Sequence, residues 1–447
     1  MPTLEMLSFS DAAPGFAAGK SSPRELLETG LENLARFEPG VGAFVGLDVG
    51  GARAAADRAS LRWREGRELS PIDGMPVGVQ DIIETVDLPT QMGSPLYAGW
   101  RSGRDAASAR ALREAGAAVL GKTVTTEFAA SEPLGDTRNP WDLRRTPGGS
   151  SSGSAAAVAY GALSGALGTQ VVGSIIRPAS FCGCFGFKPS VGGINRGGSH
   201  DYFSQSCTGV LAASLADAWR LAREIARRSG GDPGFPGLAG PAAPPPPRRP
   251  ARLAIIETAG WERASPAARD AFEAAVGRLA AAGIGVARRG EDAGIAAVEA
   301  AVANAFELTR GINAWEGRWP LNTYRERDAA KLSRAMLDRL VAAEAMRQED
   351  YAALIAERAR ARGVFEGLAG NFDAALTLSA TGAAPLGLAS TGDPIFAVPA
   401  SLLGVPALSL PLLEAEGLPL GLQAVGFIGA DAALFAVAAA LVEVLEG

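Results

Sequence analysis

The sequence predicts an α/β fold in which helices cover both faces of a central β-sheet. Helical patterns alternate with short apolar strands along most of the 447 residues. In addition, 47% of the residues are hydrophobic and only 20% are charged. Such alternation is typical of a sheet buried between two layers of helices. A chain of this length can bury a large core, and we expect one domain over residues 1–447.

Each element in the first third of the chain follows from a local signal. Ser22-Pro23 predicts a helix start, because serine caps helices and proline is tolerated in the first turn. Gly116 predicts a helix end, because glycine readily adopts the left-handed conformation that follows a helix. The predicted order is two helices within residues 8–36, a strand at Val41–Leu47, a helix at Gly51–Arg67, a strand at Met75–Val79, a helix from Ala109 to Gly116 and a strand at Ala117–Leu120.

The later elements follow a proline-rich segment, Gly237–Pro250, which predicts an extended and exposed linker loop. Ser265-Pro266 again marks a helix start. Stretches rich in Ala, Arg and Glu at 294–315 and 328–369 predict long helices within a helical insertion over residues 290–370. The other predicted elements are strands at Arg252–Ile256, Ala374–Leu378, Ala407–Leu410 and Leu420–Val425 and a final helix at Ala432–Leu445.

Charge and cysteine content argue against several classes of function. The net charge is −6 and Lys/Arg clusters are absent from the sequence, which argues against nucleic acid as the main partner. Three cysteines are too few for a disulfide framework, so we expect a reducing compartment. Residues 1–10 lack the pattern of a signal peptide, and four prolines in the uncharged segment Pro394–Leu413 argue against a membrane-spanning helix there. We therefore expect a cytoplasmic protein that binds neither nucleic acid nor a membrane.

A Gly/Ser-rich tract, Thr146–Ser190, carries the strongest chemical signal. Gly148–Gly153 precede a small-residue helix predicted at Ser154–Leu163, and helix N-termini present unpaired N–H groups. Gly168–Ser174 ends a strand in a turn whose N–H groups can converge as an oxyanion hole. The sequence has no Walker lysine motif, which argues against a phosphate-binding loop. The tract can therefore carry a serine nucleophile.

The base for such a nucleophile is not expected to be a histidine. His200 is the single histidine of the sequence, lies among Gly, Ser and Asp, and is expected in a solvent-facing turn. This argues against a Ser-His-Asp triad. A hydrolase built on this tract would need a lysine base instead.

Several spaced motifs, in order over nearly the whole chain, resemble the amidase signature family. Members of this family are serine hydrolases of amides with a Ser–cis-Ser–Lys triad. The resemblance implies an α/β/α fold with a large mixed central sheet covered by helices on both faces, and amide hydrolysis without a cofactor. The matching motifs are Gly74–Asp81, Gly121–Thr123, Arg145–Ser150, Gly173-Ser174, Phe181–Gly183, Gly186–Pro189, Gly404–Ala407 and Gly417–Gln423.

The resemblance also implies roles for particular residues. Ser174 matches the acylating nucleophile, and Ser150 matches the cis-serine that relays a proton and holds the nucleophile. The backbone of Val171, Val172 and Gly173 matches the oxyanion hole.

Gln80 occupies the position of the general-base lysine in the family's G-x-P-x-x-V-K-D pattern. An amide cannot accept and return a proton at neutral pH, and loss of a general base typically costs about 10²–10⁴ in rate. Two interpretations stay open, an engineered replacement that traps a ligand and a natural divergence toward weak or no catalysis. Around the nucleophile the family pattern is G-T-D-x-G-G-S-I-R. Here Gln170 and Val172 replace its acid and a glycine and Arg177 lies one position later, which favours divergence without deciding the matter.

Three functions follow from these observations. The first is an amidase that cleaves a small carboxamide through an acyl-Ser174 intermediate, with activity impaired by Gln80. The second is a non-catalytic ligand-binding or scaffold protein that keeps the pocket. The third is an amidotransferase component of the A type, which would require partner chains. We expect a small-molecule amide as the ligand and a homodimer as the assembly.

The other candidate side chains have structural interpretations. Cys182-Gly-Cys184 lacks a second pair of ligands nearby, so we expect buried thiols and no metal site. Trp315, Trp319 and Tyr324 either line a pocket or anchor the helical insertion, and we favour anchoring. The polar candidates for which we predict structural hydrogen bonding are Asp81 and Glu84, toward the Gly/Ser loops, and Lys122 and Lys188.

Overall fold

A computed structural model describes residues 4–130 and 135–447. Eleven strands of these residues join in one sheet. They are β1 (Phe44–Leu47), β2 (Pro76–Gln80), β3 (Ala118–Thr123), β4 (Gly165–Gln170), β5 (Phe185–Lys188), β6 (Cys207–Ala212), β7 (Arg252–Ile255), β8 (Gly285–Ala287), β9 (Ala374–Leu378), β10 (Ala407–Ala415) and β11 (Leu418–Val425).

The sheet is mixed, with the strand order β1-β3-β2-β4-β6-β5-β10-β11-β9-β7-β8. Strand β2 pairs parallel with β3 and β4, whereas β4, β6, β5, β10, β11 and β9 follow one another antiparallel. Every residue of β2, β3, β4, β5, β6 and β9 is buried. A strand buried on both sides requires cover on both faces of the sheet, which confirms the predicted α/β architecture.

The cover is supplied by α-helices on the two faces and by the chain between β8 and β9. In the described residues the helices are α1 (Phe9–Ala17), α2 (Pro23–Val41), α3 (Val49–Arg64), α4 (Ala107–Glu114), α5 (Ser152–Ala159), α6 (Ile176–Cys182), α7 (Leu215–Ser229), α8 (Pro266–Ala281), α9 (Ala293–Val302), α10 (Ala305–Asp328), α11 (Arg334–Glu344), α12 (Gln348–Glu366), α13 (Val398–Leu403) and α14 (Asp431–Glu446).

Helix α5 lies entirely inside the protein, and its small side chains permit this. All eight of its residues are buried. A Cβ added at Gly153 would lie 2.1 Å from the carbonyl oxygen of Ala43 and 2.4 Å from the backbone nitrogen of Val124. Only glycine fits this close approach between helix and backbone. The helix that follows the Gly/Ser loop is thereby held directly behind the candidate site.

The predicted helix starts are confirmed by their caps. The hydroxyl of Ser22 accepts a hydrogen bond from the backbone N–H of Glu25, and Ser265 caps Ala268 in the same way. The stretches predicted as long helices, 294–315 and 328–369, are mostly helical but are divided among α9, α10, α11 and α12. Helix α10 is itself interrupted at Trp319 (φ −102°, ψ 127°), since the residue before a proline is forced toward an extended conformation.

Segment 237–250 contains neither helix nor strand. Segment 394–413 forms the short helix α13 and most of β10. Among the described residues, no helix combines the length and the apolar character needed to cross a bilayer.

Candidate active site

The Gln80 side chain lies at the end of β2, fully buried, and bonds to both halves of the Gly/Ser tract. Its amide nitrogen donates to Thr125 Oγ1 at 2.8 Å and to Ser150 Oγ at 3.3 Å. Its oxygen accepts from the Thr169 N–H at 2.7 Å and from Ser151 Oγ at 3.4 Å. Both ends of the amide are therefore satisfied, with the nitrogen directed toward Ser150. A carboxamide in this place can orient a hydroxyl but cannot take its proton.

Of the two candidate catalytic serines, Ser150 lies in the loop that leads into α5 and Ser174 in the turn that follows β4, and both line one cavity. The peptide bond between Gly149 and Ser150 is cis. Ser150 is 3% exposed and Ser174 is 7% exposed, so both are nearly enclosed. The Ser151 N–H donates to the carbonyl oxygen of Ser174 at 3.2 Å, which ties the loop to the turn.

The turn before Ser174 is oriented by side chains from elsewhere in the chain. Gln205 Nε2 donates to the Val171 carbonyl at 2.8 Å, and Ser401 Oγ donates to the Val172 carbonyl at 2.9 Å. In a planar trans peptide the N–H points opposite to the carbonyl. The N–H groups of Val172 and Gly173 are therefore directed away from these two side chains. Two neighbouring N–H groups held in this way can stabilise an oxyanion.

Gln170 and Arg177, two of the departures from the family pattern, are integrated into the same turn. Gln170 Oε1 accepts from the N–H groups of Ile175 and Ile176 at 2.7 and 2.9 Å. Arg177 donates to the Gly149 carbonyl at 2.7 Å and to Thr391 Oγ1 at 2.8 Å. The neutral amide of Gln170 therefore accepts from the backbone that follows Ser174. The guanidinium of Arg177 fixes the loop before Ser150 by bonding the Gly149 carbonyl.

Lys122 contacts groups other than Ser150 and Ser174. Its Nζ donates to the Ile83 carbonyl and to Thr90 Oγ1, both at 2.7 Å, and lies 3.2 Å from Asp81 Oδ1. Burial lowers the pKa of Lys122. Burial also raises the pKa of Asp81 to about 6, although the neighbouring ammonium opposes that shift. The pair forms a buried structural contact, in line with the role expected for Lys122. For Asp81 we expected hydrogen bonds to the Gly/Ser loops. Its side chain instead contacts Lys122 and accepts from the backbone N–H of Gln91.

Lys188 likewise has a structural environment. Its Nζ donates to the Pro189 carbonyl at 2.9 Å and lies 3.8 Å from Cys207 Sγ. The three cysteines are buried and free of disulfides. Burial raises the pKa of the Cys184 thiol to about 12. Over residues 4–130 and 135–447, no group of three or more His, Cys, Asp and Glu side chains could hold a metal ion.

A cavity of about 780 Å³ opens onto Ser150 and Ser174. Trp319 and Tyr324 lie in its wall, so the expectation that they only anchor the insertion is wrong. Trp315 does serve as an anchor, because its ring stacks on Tyr351 at 5.5 Å within the insertion. The spacing of residues in the sequence does not indicate this wall, because its residues come from segments that are distant along the chain and meet only in the fold.

His200 also lines this cavity, which corrects the expectation of a solvent-facing turn. Its side chain is only 15% exposed. Nε2 lies 3.1 Å from Glu84 Oε1, and Nδ1 lies 2.9 Å from the hydroxyl of Tyr202. Burial lowers the pKa of His200, against the opposing effect of Glu84. Glu84 also pairs with Arg104 at 2.6 Å, so it contacts these side chains and not the Gly/Ser loops as expected.

Comparison with known proteins places this geometry in a family. The model of the amidase family matches residues 25–435. A solved structure of native peptide amidase from Stenotrophomonas maltophilia superposes with a TM-score of 0.79 at 27% identity, over 98% of this chain and 97% of that chain.

Two relatives are each named as the A subunit of glutamyl-tRNA(Gln) amidotransferase. The one from Chloroflexus aggregans is 41% identical over 239 residues, which cover 52% of this chain and 48% of the relative. This match thus spans about half the length of that relative. The one from Salinispora arenicola is 31% identical over 484 aligned residues, which cover 99% of this chain and 98% of the relative.

Proposed function

The chain belongs to the amidase family of hydrolases, and from that premise we propose that it cleaves the C–N bond of an uncharged small-molecule carboxamide through an acyl intermediate on Ser174. The observation that carries this proposal is the convergence of three features on one cavity. These are the Ser174 hydroxyl, the Ser150 hydroxyl and a turn whose carbonyl groups are bonded by Gln205 and Ser401, which fixes the direction of its N–H groups.

In the proposed reaction, Ser174 Oγ attacks the carbonyl carbon while the N–H groups of residues 171–173 stabilise the oxyanion. The proton leaves Ser174 by way of Ser150 and is delivered to the nitrogen of the departing amine. The C–N bond then breaks and the acyl group remains on Ser174. Water attacks the ester, and its proton returns along the same path to restore the Ser174 hydroxyl.

Gln80 is proposed to make this reaction slow. Its amide hydrogen-bonds Ser150 but cannot hold the proton between the two half-reactions, and a missing general base costs about 10²–10⁴ in rate. We further propose that Gln80 is a natural divergence. The support is that Thr125, Ser151 and Thr169 satisfy its amide at both ends, an arrangement suited to glutamine.

A second candidate function is that of the A component of an amidotransferase, which the names of the two relatives favour. In that case the chain would act together with partner chains. Affinity purification from its native cells separates this candidate from a self-sufficient amidase, because only the former predicts stoichiometric partner chains.

The proposed nucleophile is tested with a fluorophosphonate probe, which labels an activated serine irrespective of substrate. We expect slow labelling of the unaltered protein and none of Ser174→Ala, whereas Ser21→Ala, a change at an exposed serine, should label like the unaltered protein. Hydrolysis of a panel of aliphatic and aromatic carboxamides, followed by ammonia release, should show the same dependence. If the unaltered protein neither reacts with the probe nor releases ammonia, the hydrolase proposal fails and a non-catalytic binding protein remains.

A further inference from the structure

The cavity beside Ser174 has a wall that is mainly aromatic and apolar. Phe128 stacks on Tyr324 with their ring centroids 4.6 Å apart, and both are less than one-tenth exposed. Much of the rest of the wall comes from the insertion and from the loop after His200. The large side chains of the wall include Phe128, Phe203, Phe306, Trp319, Tyr324 and Met336.

The charged side chains of the wall are engaged with other protein groups. Glu307 pairs with Arg310 at 3.1 Å. Glu316 accepts from the Ser204 N–H at 2.7 Å and from the Tyr351 hydroxyl at 2.8 Å. Both members of the Glu307–Arg310 pair are about two-thirds exposed, so this pair remains hydrated. A charged ligand group placed against the buried rings would lose its water of hydration. The rings offer no hydrogen bonds in exchange, so binding of such a group is unfavourable.

The Tyr202 hydroxyl is a polar group of the wall whose direction is fixed by its neighbours. A carboxylate only accepts hydrogen bonds, so His200 Nε2 must carry the proton that faces Glu84 at 3.1 Å. In the neutral ring Nδ1 is then an acceptor, and it receives the Tyr202 O–H at 2.9 Å. Burial lowers the pKa of His200, which favours the neutral ring. The Tyr202 oxygen therefore has only lone pairs left to offer to the cavity.

We propose that the cavity selects uncharged amides that combine a large apolar group with a second N–H, and that this N–H donates to the Tyr202 oxygen that Glu84 and His200 hold as an acceptor. This rests on the proposed amidase function, because it assigns the substrate class of that same site. In this arrangement Tyr202 contacts the substrate, whereas His200 and Glu84 are positioning residues.

The apolar part is tested by binding, measured by calorimetry in the Ser174→Ala variant so that turnover plays no part. The probes are phenylalanine amides with acetyl, butanoyl, hexanoyl and octanoyl groups on the α-nitrogen. Each buried CH₂ should tighten the dissociation constant by about fourfold. The corresponding free carboxylates should bind more weakly than the amides. A dissociation constant that stays flat along the series, or equal binding of the carboxylates, would overturn the assignment.

The acceptor role is tested with the same probes methylated on the α-nitrogen, which lack the second N–H. In the Ser174→Ala background, Tyr202→Phe should weaken binding of the N–H probes by about 2- to 12-fold and leave the N-methyl probes unchanged. Tyr160→Phe is the matched control, because its hydroxyl bonds Glu38 away from the cavity, and it should change neither. Equal losses for both probes in Tyr202→Phe would mean that the ring matters only for packing, and the acceptor role would be refuted.

The pH dependence separates His200 from a merely structural role. Protonation of His200 turns Nδ1 into a donor, so affinity for the N–H probes should fall at acidic pH and affinity for the N-methyl probes should not. The groups around the ring are Glu84, Tyr202, Arg104 and the more distant Lys122. Tight, selective binding without any hydrolysis by the unaltered protein would retain this inference while rejecting the proposed function. Hydrolysis without such selectivity would support the proposed function and reject this inference.

Discussion

Replacing Gln80 by lysine is the sharpest test of how this site works. Position 80 is fully buried, and the nitrogen of the present amide already lies 3.3 Å from Ser150 Oγ. A lysine side chain is slightly longer, so its Nζ can approach Ser150 and Thr125 from the same direction. Burial disfavours the ammonium form and lowers the lysine pKa toward neutrality. A neutral amine at this place would supply a general base to the proposed proton relay.

The magnitude follows from what the exchange gains and what it removes. A general base contributes about 10²–10⁴ in rate, so Gln80→Lys should raise amide hydrolysis by that factor. The exchange also removes the oxygen that accepts the Thr169 N–H at 2.7 Å. A buried donor without a partner costs about 1–3 kcal/mol, which a fold of ordinary stability, about 5–15 kcal/mol, can tolerate. The variant should be more active and less stable.

The assay compares Gln80→Lys with Gln80→Met, which loses the same acceptor but carries no amine. Ammonia release from the carboxamide panel and fluorophosphonate labelling are measured for both, with thermal unfolding as the check on folding. The rate of Gln80→Lys should rise with pH through the lysine pKa, because only the neutral amine accepts a proton. The added Ser174→Ala change should abolish the gain. If folded Gln80→Lys reacts no faster than Gln80→Met on any amide, the proposed proton path is refuted.

Three further outcomes follow from the structure. In denaturant unfolding, Gly153→Ala should destabilise the fold by at least about 1–3 kcal/mol, because the added Cβ would lie 2.1 Å from a backbone oxygen. The control is Gly277→Ala in α8, where an added Cβ meets no atom within 4 Å. This change should be neutral or stabilising by about 0.5–1 kcal/mol. Ser401→Ala should slow fluorophosphonate labelling by about 2- to 12-fold, because the carbonyl of the oxyanion turn loses a 2.9 Å hydrogen bond; an unchanged rate would contradict the role given to that turn. Lys122→Met should cost about 3–5 kcal/mol by leaving Asp81 buried without its partner, and less when Asp81→Asn is added. Burial already raises the pKa of Asp81 to about 6, above its value in the unfolded chain. The stability of Lys122→Met should therefore fall as the pH rises through and above about 6, because Asp81 must then ionise without a partner. A stability that does not change with pH in unfolding titrations would count against the buried pair.

Local signals in the sequence predicted most of the fold. Ser22 and Ser265 cap helices where predicted, because a cap is satisfied by backbone groups only three residues away. The strand at Ala374–Leu378 has the predicted bounds. Residues 316–327 lie between the two stretches predicted as helical, yet they belong to α10, and its break at Trp319 is encoded locally in the proline that follows.

The sequence by itself determined the family, the sheet-and-helix architecture and the candidate positions 80, 150 and 174, since ordered motifs and short-range hydrogen bonds are readable along a chain. Only the tertiary structure decided what surrounds those positions. The Val172 carbonyl is held by a serine 229 residues away, and His200 meets Glu84 across 116 residues. Hydrogen bonds and ring contacts between distant segments leave no periodic trace in a sequence. The aromatic wall and the direction of the Tyr202 hydroxyl therefore exist only once the chain has folded.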